Sequence, residues 1–461
     1  MNENDLLHII EQLVRRAAPG DWFERVDDRV LAAGLRLAPQ GTRDLLVRCL
    51  GLDRALRFVA DLERRVDLGL DRLALATSSA PDPDLPAVIL LPGFMGVHLN
   101  DATAGRVWLD PASALRGDLS VRAALDATGE GDAFPGEHLV PDGLVRLVYA
   151  DLIQALRARG HAVHSFLFDF RRSVRATTLL LRDFVRDILA RSRGKVIFVG
   201  HSMGALLACL LPYHLPELAE RVEQTIFLGA PLGGSFDAVE AVTGTHWILP
   251  RLVALSPDEQ SRDFQASIAT WPGVFGMLPD PEAFTGCACE RVFDSAQWPS
   301  PVPVRQSLLD EGLKVKSMLR ESPLFRLGRP VTQLFATRYP TIASLARDAD
   351  GALAAGPRTA QGDGVVAAFS AFPAGVTGYR TGFPHTLAPI EPAAIEAVVA
   401  LIQTGECALE PIQTDDLRAE VPAGGAPDVQ MALGLVESGA ESLKEGILSF
   451  PAVAWLFSPV Q

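Results

Sequence analysis

Six short runs of β-branched and aliphatic residues recur through the chain, and they limit its fold more than any other feature. They are "AVILL" (87–91), "HAVHSFLFDF" (161–170), "KVIFVG" (195–200), "TIFLGA" (225–230), "VTQLFAT" (331–337) and "VTGYR" (376–380). Between most of them lie stretches with helical spacing, such as "YADLIQALRARG" and "ATTLLLRDFVRDILARSRG". Strands that alternate with helices imply right-handed βαβ crossovers and a largely parallel sheet buried on both faces. The expected class is α/β.

The flanks have a different texture. "DLLHIIEQLVRR" places Leu6, Ile9, Ile10, Leu13 and Val14 on one helical face, and "TRDLLVRCLGLDRALRFVADLERRV" continues it with Thr42 as an N-cap. "ATSSAPDPDLP" (76–86) then reads as a linker, because Pro81, Pro83 and Pro86 bar helix. An N-terminal helical module with its linker is therefore expected over 1–80, followed by an α/β domain over 81–404. Within that domain, residues 235–330 break the rhythm, carry Trp247, Trp271 and Trp298, and read as a cap inserted over the carboxyl edge of the sheet. Past 404, "DDLRAEVPAGGAPD" reads as a second linker. The tail up to 461 starts amphipathic and ends apolar, suited to folding back on the body or to a partner or membrane contact. The N-terminal module is expected to dock a protein partner or to self-associate.

Composition excludes several classes. A net charge of −14 argues against nucleic acid and gives no general attraction to anionic lipid, so any membrane contact would be local and apolar, through the cap or the tail. There is no 18-residue apolar run to span a membrane. The N-terminus lacks the basic start and continuous apolar core of a signal peptide, which makes a cytoplasmic location the expectation. Five cysteines, scattered and odd in number, do not form a disulfide framework. Cys287 and Cys289 make a lone Cys-x-Cys, too few ligands for zinc, and no His-Glu-x-x-His spacing occurs. No metal or cofactor is expected.

The chemistry centres on Gly200-His201-Ser202-Met203-Gly204, set between the run "VIFVG" and the apolar stretch "MGALLACLL". In α/β-hydrolases a nucleophilic serine sits on such a strand-to-helix turn, with small residues two positions either side where strand and helix pass closely. The pattern is short enough to arise by chance; its place straight after a buried strand gives it weight. A serine nucleophile needs a base, and the base an orienting acid, in the chain order Ser, acid, His. Only one of the nine histidines follows residue 246: His385, in "GFPHTLAPIE". The acid candidate is Asp363, held between glycines in "QGDGVV", with Asp348, Asp350 and Asp280 as fallbacks. Backbone donors for an oxyanion are expected at Met203, after the serine, and at Phe94, after the Pro92-Gly93 strand end. His201 is expected to pack or hydrogen-bond beside the site.

Taken together, these segments resemble the lecithin:cholesterol acyltransferase-like branch of the α/β-hydrolases, which includes lysosomal phospholipase A2. "LLPGFMGVHL" is similar to the family's early strand and oxyanion loop, and "VWLDP" (107–111) to its Trp-Leu-x-Pro. "LFDFRRS" (167–173) stands where the family has a Tyr-Asp-Trp-Arg-like element, with Phe168 and Phe170 in place of aromatics that carry polar handles. "GHSMGA", "IFLGAPLGGS" (226–235), "GDGVV" and His385 complete the resemblance, which covers about 85–404. The family's Gly-Asp-Gly-Thr-Val-Pro is here Gly-Asp-Gly-Val-Val-Ala, so a hydroxyl and a proline are missing. The resemblance implies acyl-ester chemistry on lipids, of phospholipase A or lipase type, with acyl transfer to an alcohol as a variant. Trp108 and, in the cap, Trp247 are the candidate substrate contacts. The rival reading is a retired hydrolase body that serves as a scaffold, or a regulated effector or interaction protein, recruited through its helical ends.

Overall fold

The computed structural model describes residues 81–413 and Leu417, apart from the stretches 103–104, 109–116, 192–193, 247, 250–251, 254–258, 285–288, 299–301 and 348–350. The expected helical module (1–80), the apolar tail, Trp247, Asp348 and Asp350 lie outside the described residues. All six runs contain strands: β1 (Ala87–Leu91), β2 (Val163–Ser165), β3 (Val196–His201), β4 (Val222–Leu228), β5 (Val331–Phe335) and β6 (Thr377–Arg380). A further strand, β7 (Pro411–Ile412), completes one sheet in the order β7-β6-β5-β4-β3-β1-β2. Every pairing is parallel except that of β7 with β6.

Successive side chains of a strand point to opposite faces, and here both faces are covered. Ile89, Leu91, Phe198 and Phe227 enter the larger core, while Val88, Leu90, Ile197, Val199, Ile226 and Leu228 enter the smaller one. The smaller core is closed by α1 (Arg146–Arg157) and α6 (Pro392–Thr404), the larger by α2 (Val174–Arg191), α3 (Met203–Leu210) and α5 (Gln306–Arg320). Helix α3 is buried at all eight positions, so it is apolar all round. Each of Met203, Leu206, Leu207 and Leu210 contributes about 2 kcal/mol by leaving water. That burial anchors the turn immediately before the helix.

Four features depart from the sequence reading. Strand β2 covers only three residues of "HAVHSFLFDF"; after it Phe166, Phe168 and Phe170 turn into the larger core. A three-stranded antiparallel sheet of Val97–Asp101, Gly105–Trp108 and Leu139–Leu144 was not foreseen, because its strands are short and polar and include Pro141 and Gly143. The sheet extends past the expected end at 404, since β7 pairs with β6. The insertion does lie between β4 and β5, with α4 (Asp237–Thr243) near its start. Its last helix, α5, packs on α3 and on the insertion's own turns Pro272–Phe275 and Cys289–Phe293. Cys289 is buried and disulfide-bonded, where the odd, scattered cysteines had argued against a disulfide framework. Among the described residues, no helix is long and apolar enough to cross a membrane.

Candidate active site

Strand β3 ends at His201 and α3 begins at Met203, which leaves Ser202 alone on the turn between them. Its backbone sits at φ 50° and ψ −122°, a region that costs a non-glycine residue about 1–3 kcal/mol. The turn is held by its own hydrogen bonds: Ser202 N–H donates to the Leu228 carbonyl, and Ala205 N–H to the Ser202 carbonyl, both at 3.0 Å. Gly204 is required by close approach. A Cβ there would lie 2.3 Å from the Leu91 carbonyl oxygen and 2.5 Å from that of Pro92.

Two loops at the carboxyl edge bring partners to this serine. His385, which opens the short turn His385–Ile390, places Nε2 2.8 Å from Ser202 Oγ and Nδ1 2.7 Å from Asp363 Oδ2. Asp363 lies between β5 and β6, and its Oδ1 accepts from Val365 N–H at 3.0 Å and Val366 N–H at 2.7 Å. The backbone therefore holds the carboxylate, and the threonine hydroxyl missing from "GDGVV" leaves no gap in its hydrogen bonding. The three side chains are buried, with relative exposures of 6% for Ser202, 5% for His385 and 1% for Asp363. Burial pulls the His385 pKa down, but the Asp363 carboxylate, by charge and hydrogen bond, and the Asp237 charge outweigh it. The net pKa lies above the ordinary histidine value. Such an arrangement can take a proton from Oγ and hold the resulting imidazolium.

Ser202 and His385 open into a cleft of about 920 Å³ of non-atom space, its open mouth included. The lining is mostly apolar: Phe94 from the loop after β1, Val148 from α1, and Ile248, Ile268, Val274 and Met277 from the insertion. Met203 follows the serine at the first position of α3, where a backbone N–H has no intrahelical acceptor. In the insertion's "THWILPRLVALS", Ile248, Leu249 and Leu252 are buried in the core, and Ile248 also lines the cleft.

Trp108 is a correction. It is 1% exposed and absent from the cleft lining, and it packs edge-on against Phe170 and Trp271, at 5.5 and 6.2 Å between ring centroids. Phe94 packs on the same two rings, at 5.3 and 6.0 Å. The indole is thus one wall of an aromatic box behind the loop after β1, not a substrate contact. Phe168 and Phe170 are likewise core residues. The "LFDFRRS" segment is pinned by Arg171, fully buried, which pairs at 2.7 Å with both Asp169 and Asp132 and donates to the Ala123 carbonyl. The fallback Asp280 is buried and pairs with Arg320 on α5, not with His385.

Three residues on the cleft were not singled out as site residues by the sequence. Asp237 opens α4, and its Oδ2 accepts from His246 Nε2 at 2.6 Å; Ile248 N–H donates to His246 Nδ1 at 3.1 Å, which fixes the proton on Nε2. Tyr149 reaches in from α1. The sequence offered only a faint pointer to His246, its place beside Trp247 in the cap, and none to Tyr149. Among the described residues, no group of three or more His, Cys, Asp or Glu could hold a metal ion.

Residues 140–301 match the family model of lecithin:cholesterol acyltransferase. Over this segment, about a third of its length, the chain is similar to the lecithin:cholesterol acyltransferase family. The matched segment carries the "LFDFRRS" element, the Ser202 turn, "LGAPLGGS" and most of the insertion, whereas Asp363 and His385 lie beyond it. No curated protein matches the sequence. Among solved structures the enzyme is similar to the Tle4–Tli4 complex, at 14% identity, with 70% of this chain and 99% of that chain covered and a TM-score of 0.47. It is also similar to Bacillus licheniformis lipase BlEst2 in its mature form, at 14% identity, 70% and 95% coverage and a TM-score of 0.37. Carboxylesterase CesB from Bacillus subtilis is similar at 11% identity, 71% and 86% coverage and a TM-score of 0.31.

Proposed function

We propose that the enzyme is a serine esterase of lipase or phospholipase A type that opens lipid acyl esters through a covalent acyl-enzyme. Ser202 Oγ attacks the ester carbonyl while His385 Nε2 takes its proton; Asp363 holds the imidazole in the tautomer that leaves Nε2 free to accept. The Phe94 and Met203 N–H groups hold the oxyanion, and His385 returns the proton to the leaving alcohol. Water then releases the acyl group, or a second alcohol does so, in which case the outcome is acyl transfer. The observation that carries this reading is a single one: His385 bridges Ser202 and Asp363 at 2.8 and 2.7 Å on a mostly apolar cleft. An apolar cleft suits an acyl chain more than a polar acid.

The test is a fluorophosphonate probe, which should label the wild type and not Ser202→Ala. Labelling of both proteins, or of neither when both are folded, overturns the assignment. Turnover of defined phospholipids, triglycerides and short p-nitrophenyl esters then ranks the substrates.

The pH profile gives an independent check. His385 serves as base only when neutral, so activity is present above its folded pKa and is lost as pH falls through it. Because that pKa is raised, the acid limb of kcat/KM should lie above about 6.5, the unperturbed histidine value. Asp237→Asn removes one of the charges that favour the imidazolium, and it should move the limb to lower pH. An unmoved limb would mean that Asp237 does not act on His385.

A further inference from the structure

Tyr149 and His201 are buried beside the nucleophile turn, and neither has a part in the proton transfer described above. Their contacts form a chain in which chemistry settles every donor. His201 Nε2 lies 3.1 Å from the His385 carbonyl oxygen, which can only accept, so Nε2 carries the hydrogen. Nδ1 then has a lone pair and accepts from Tyr149 O–H at 2.9 Å. The Tyr149 oxygen in turn accepts from Gly93 N–H at 2.7 Å. The chain thus runs in one direction, from Gly93 through Tyr149 and His201 to the backbone of His385.

Its two ends are significant. Gly93 precedes Phe94, His201 precedes Ser202, and the last acceptor is the main chain of the base itself. We propose that Tyr149 and His201 are positioning residues that lock the oxyanion loop and the base loop to the nucleophile turn. This rests on the reading of Ser202, His385 and Asp363 given above. Two further observations favour it. Burial, with help from the charge of His385, pushes His201 down to about 3, so it stays neutral and keeps this donor pattern while His385 cycles through its cation. Gly93 is also packed tightly onto the chain, since a Cβ there would lie 2.8 Å from His201 Nδ1 and 3.1 Å from Ser202 Cβ.

Tyr149→Phe keeps the ring and removes both hydrogen bonds of the hydroxyl. Small displacements of catalytic groups are costly, so kcat on p-nitrophenyl butyrate should fall about 10- to 100-fold, with KM changed by less than about threefold. A merely structural role would not touch the transition state selectively. Affinity for an alkyl trifluoromethyl ketone, whose adduct carries the oxyanion, should therefore fall in step with kcat/KM, at an unchanged circular-dichroism spectrum. Undiminished kcat, or a fall in kcat with full ketone affinity, overturns the proposal. Should Tyr149→Phe fail to fold, His201→Gln and His201→Leu decide. The glutamine amide can accept from Tyr149 and donate to the His385 carbonyl, leucine can do neither, and equal activity of the two overturns the proposal. Fluorophosphonate labelling that does not depend on Ser202 would sink the underlying triad instead. Ser202-dependent labelling with undiminished Tyr149→Phe turnover sinks the positioning role alone.

Discussion

Asp363→Asn should lower kcat by about 10³- to 10⁴-fold and leave the fold and the melting temperature near those of the wild type. The size follows from where each carboxylate oxygen points. Oδ1 accepts two backbone N–H bonds, from Val365 and Val366. An asparagine must keep its oxygen there, because turning its NH₂ towards two donors would forfeit both bonds in a buried place. The NH₂ therefore takes the position of Oδ2, 2.7 Å from His385 Nδ1. Facing a donor, Nδ1 must accept, and the ring hydrogen moves to Nε2, which points at Ser202 Oγ. An imidazole in that tautomer cannot take the serine proton. Steady-state kinetics on p-nitrophenyl butyrate, with a thermal melt on the same sample, checks both halves. A loss below about tenfold would show that Asp363 does not orient His385.

How much of this site could be read from sequence depends on whether its parts are local. Ser202 is marked by a local pattern, a buried strand that runs straight into an apolar helix, and the pattern and the turn are one object. His385 and Asp363 are distant in sequence, yet few histidines follow the serine, His385 is the last of them, and glycines flanked the acid. The structure brings these three together. Residues whose roles exist only in tertiary contact left no such trace: Tyr149 meets His201 across 52 positions, and within a helix its pattern is simply that of a buried face. Trp108 shows the converse error, since an aromatic near a family-like motif was read as a substrate contact when it packs on Phe170 and Trp271, the rings against which Phe94 rests. The same holds for the threonine absent after Asp363. A side-chain comparison registers a loss, but the groups that bind the carboxylate are main-chain N–H donors that any residue supplies. For the fold, strands buried on both faces were visible as apolar runs, whereas the small antiparallel sheet of 97–144 was not, because its strands lack that signal.

Gly204→Ala is the second large effect, and it separates the geometry of the turn from its chemistry. The added carbon would lie 2.3 Å from the Leu91 carbonyl oxygen and 2.5 Å from that of Pro92, both backbone atoms at the end of β1 that no rotamer change can move. Either α3 shifts away from the sheet, or the end of β1 is displaced and the Pro92–Phe94 loop after it moves with it. Overpacking of this kind costs about 1–3 kcal/mol and occasionally more, a large share of the roughly 5–15 kcal/mol that holds a domain folded. The protein that does fold should lose about 100-fold or more in kcat, although Ser202, His385 and Asp363 are all intact. Gly143→Ala is the control: a Cβ there meets nothing within 4 Å, and the variant should keep wild-type melting and turnover. If Gly204→Ala behaves like that control, α3 and β1 do not pass as closely as described, and the strained backbone of Ser202 would need some other support than their contact.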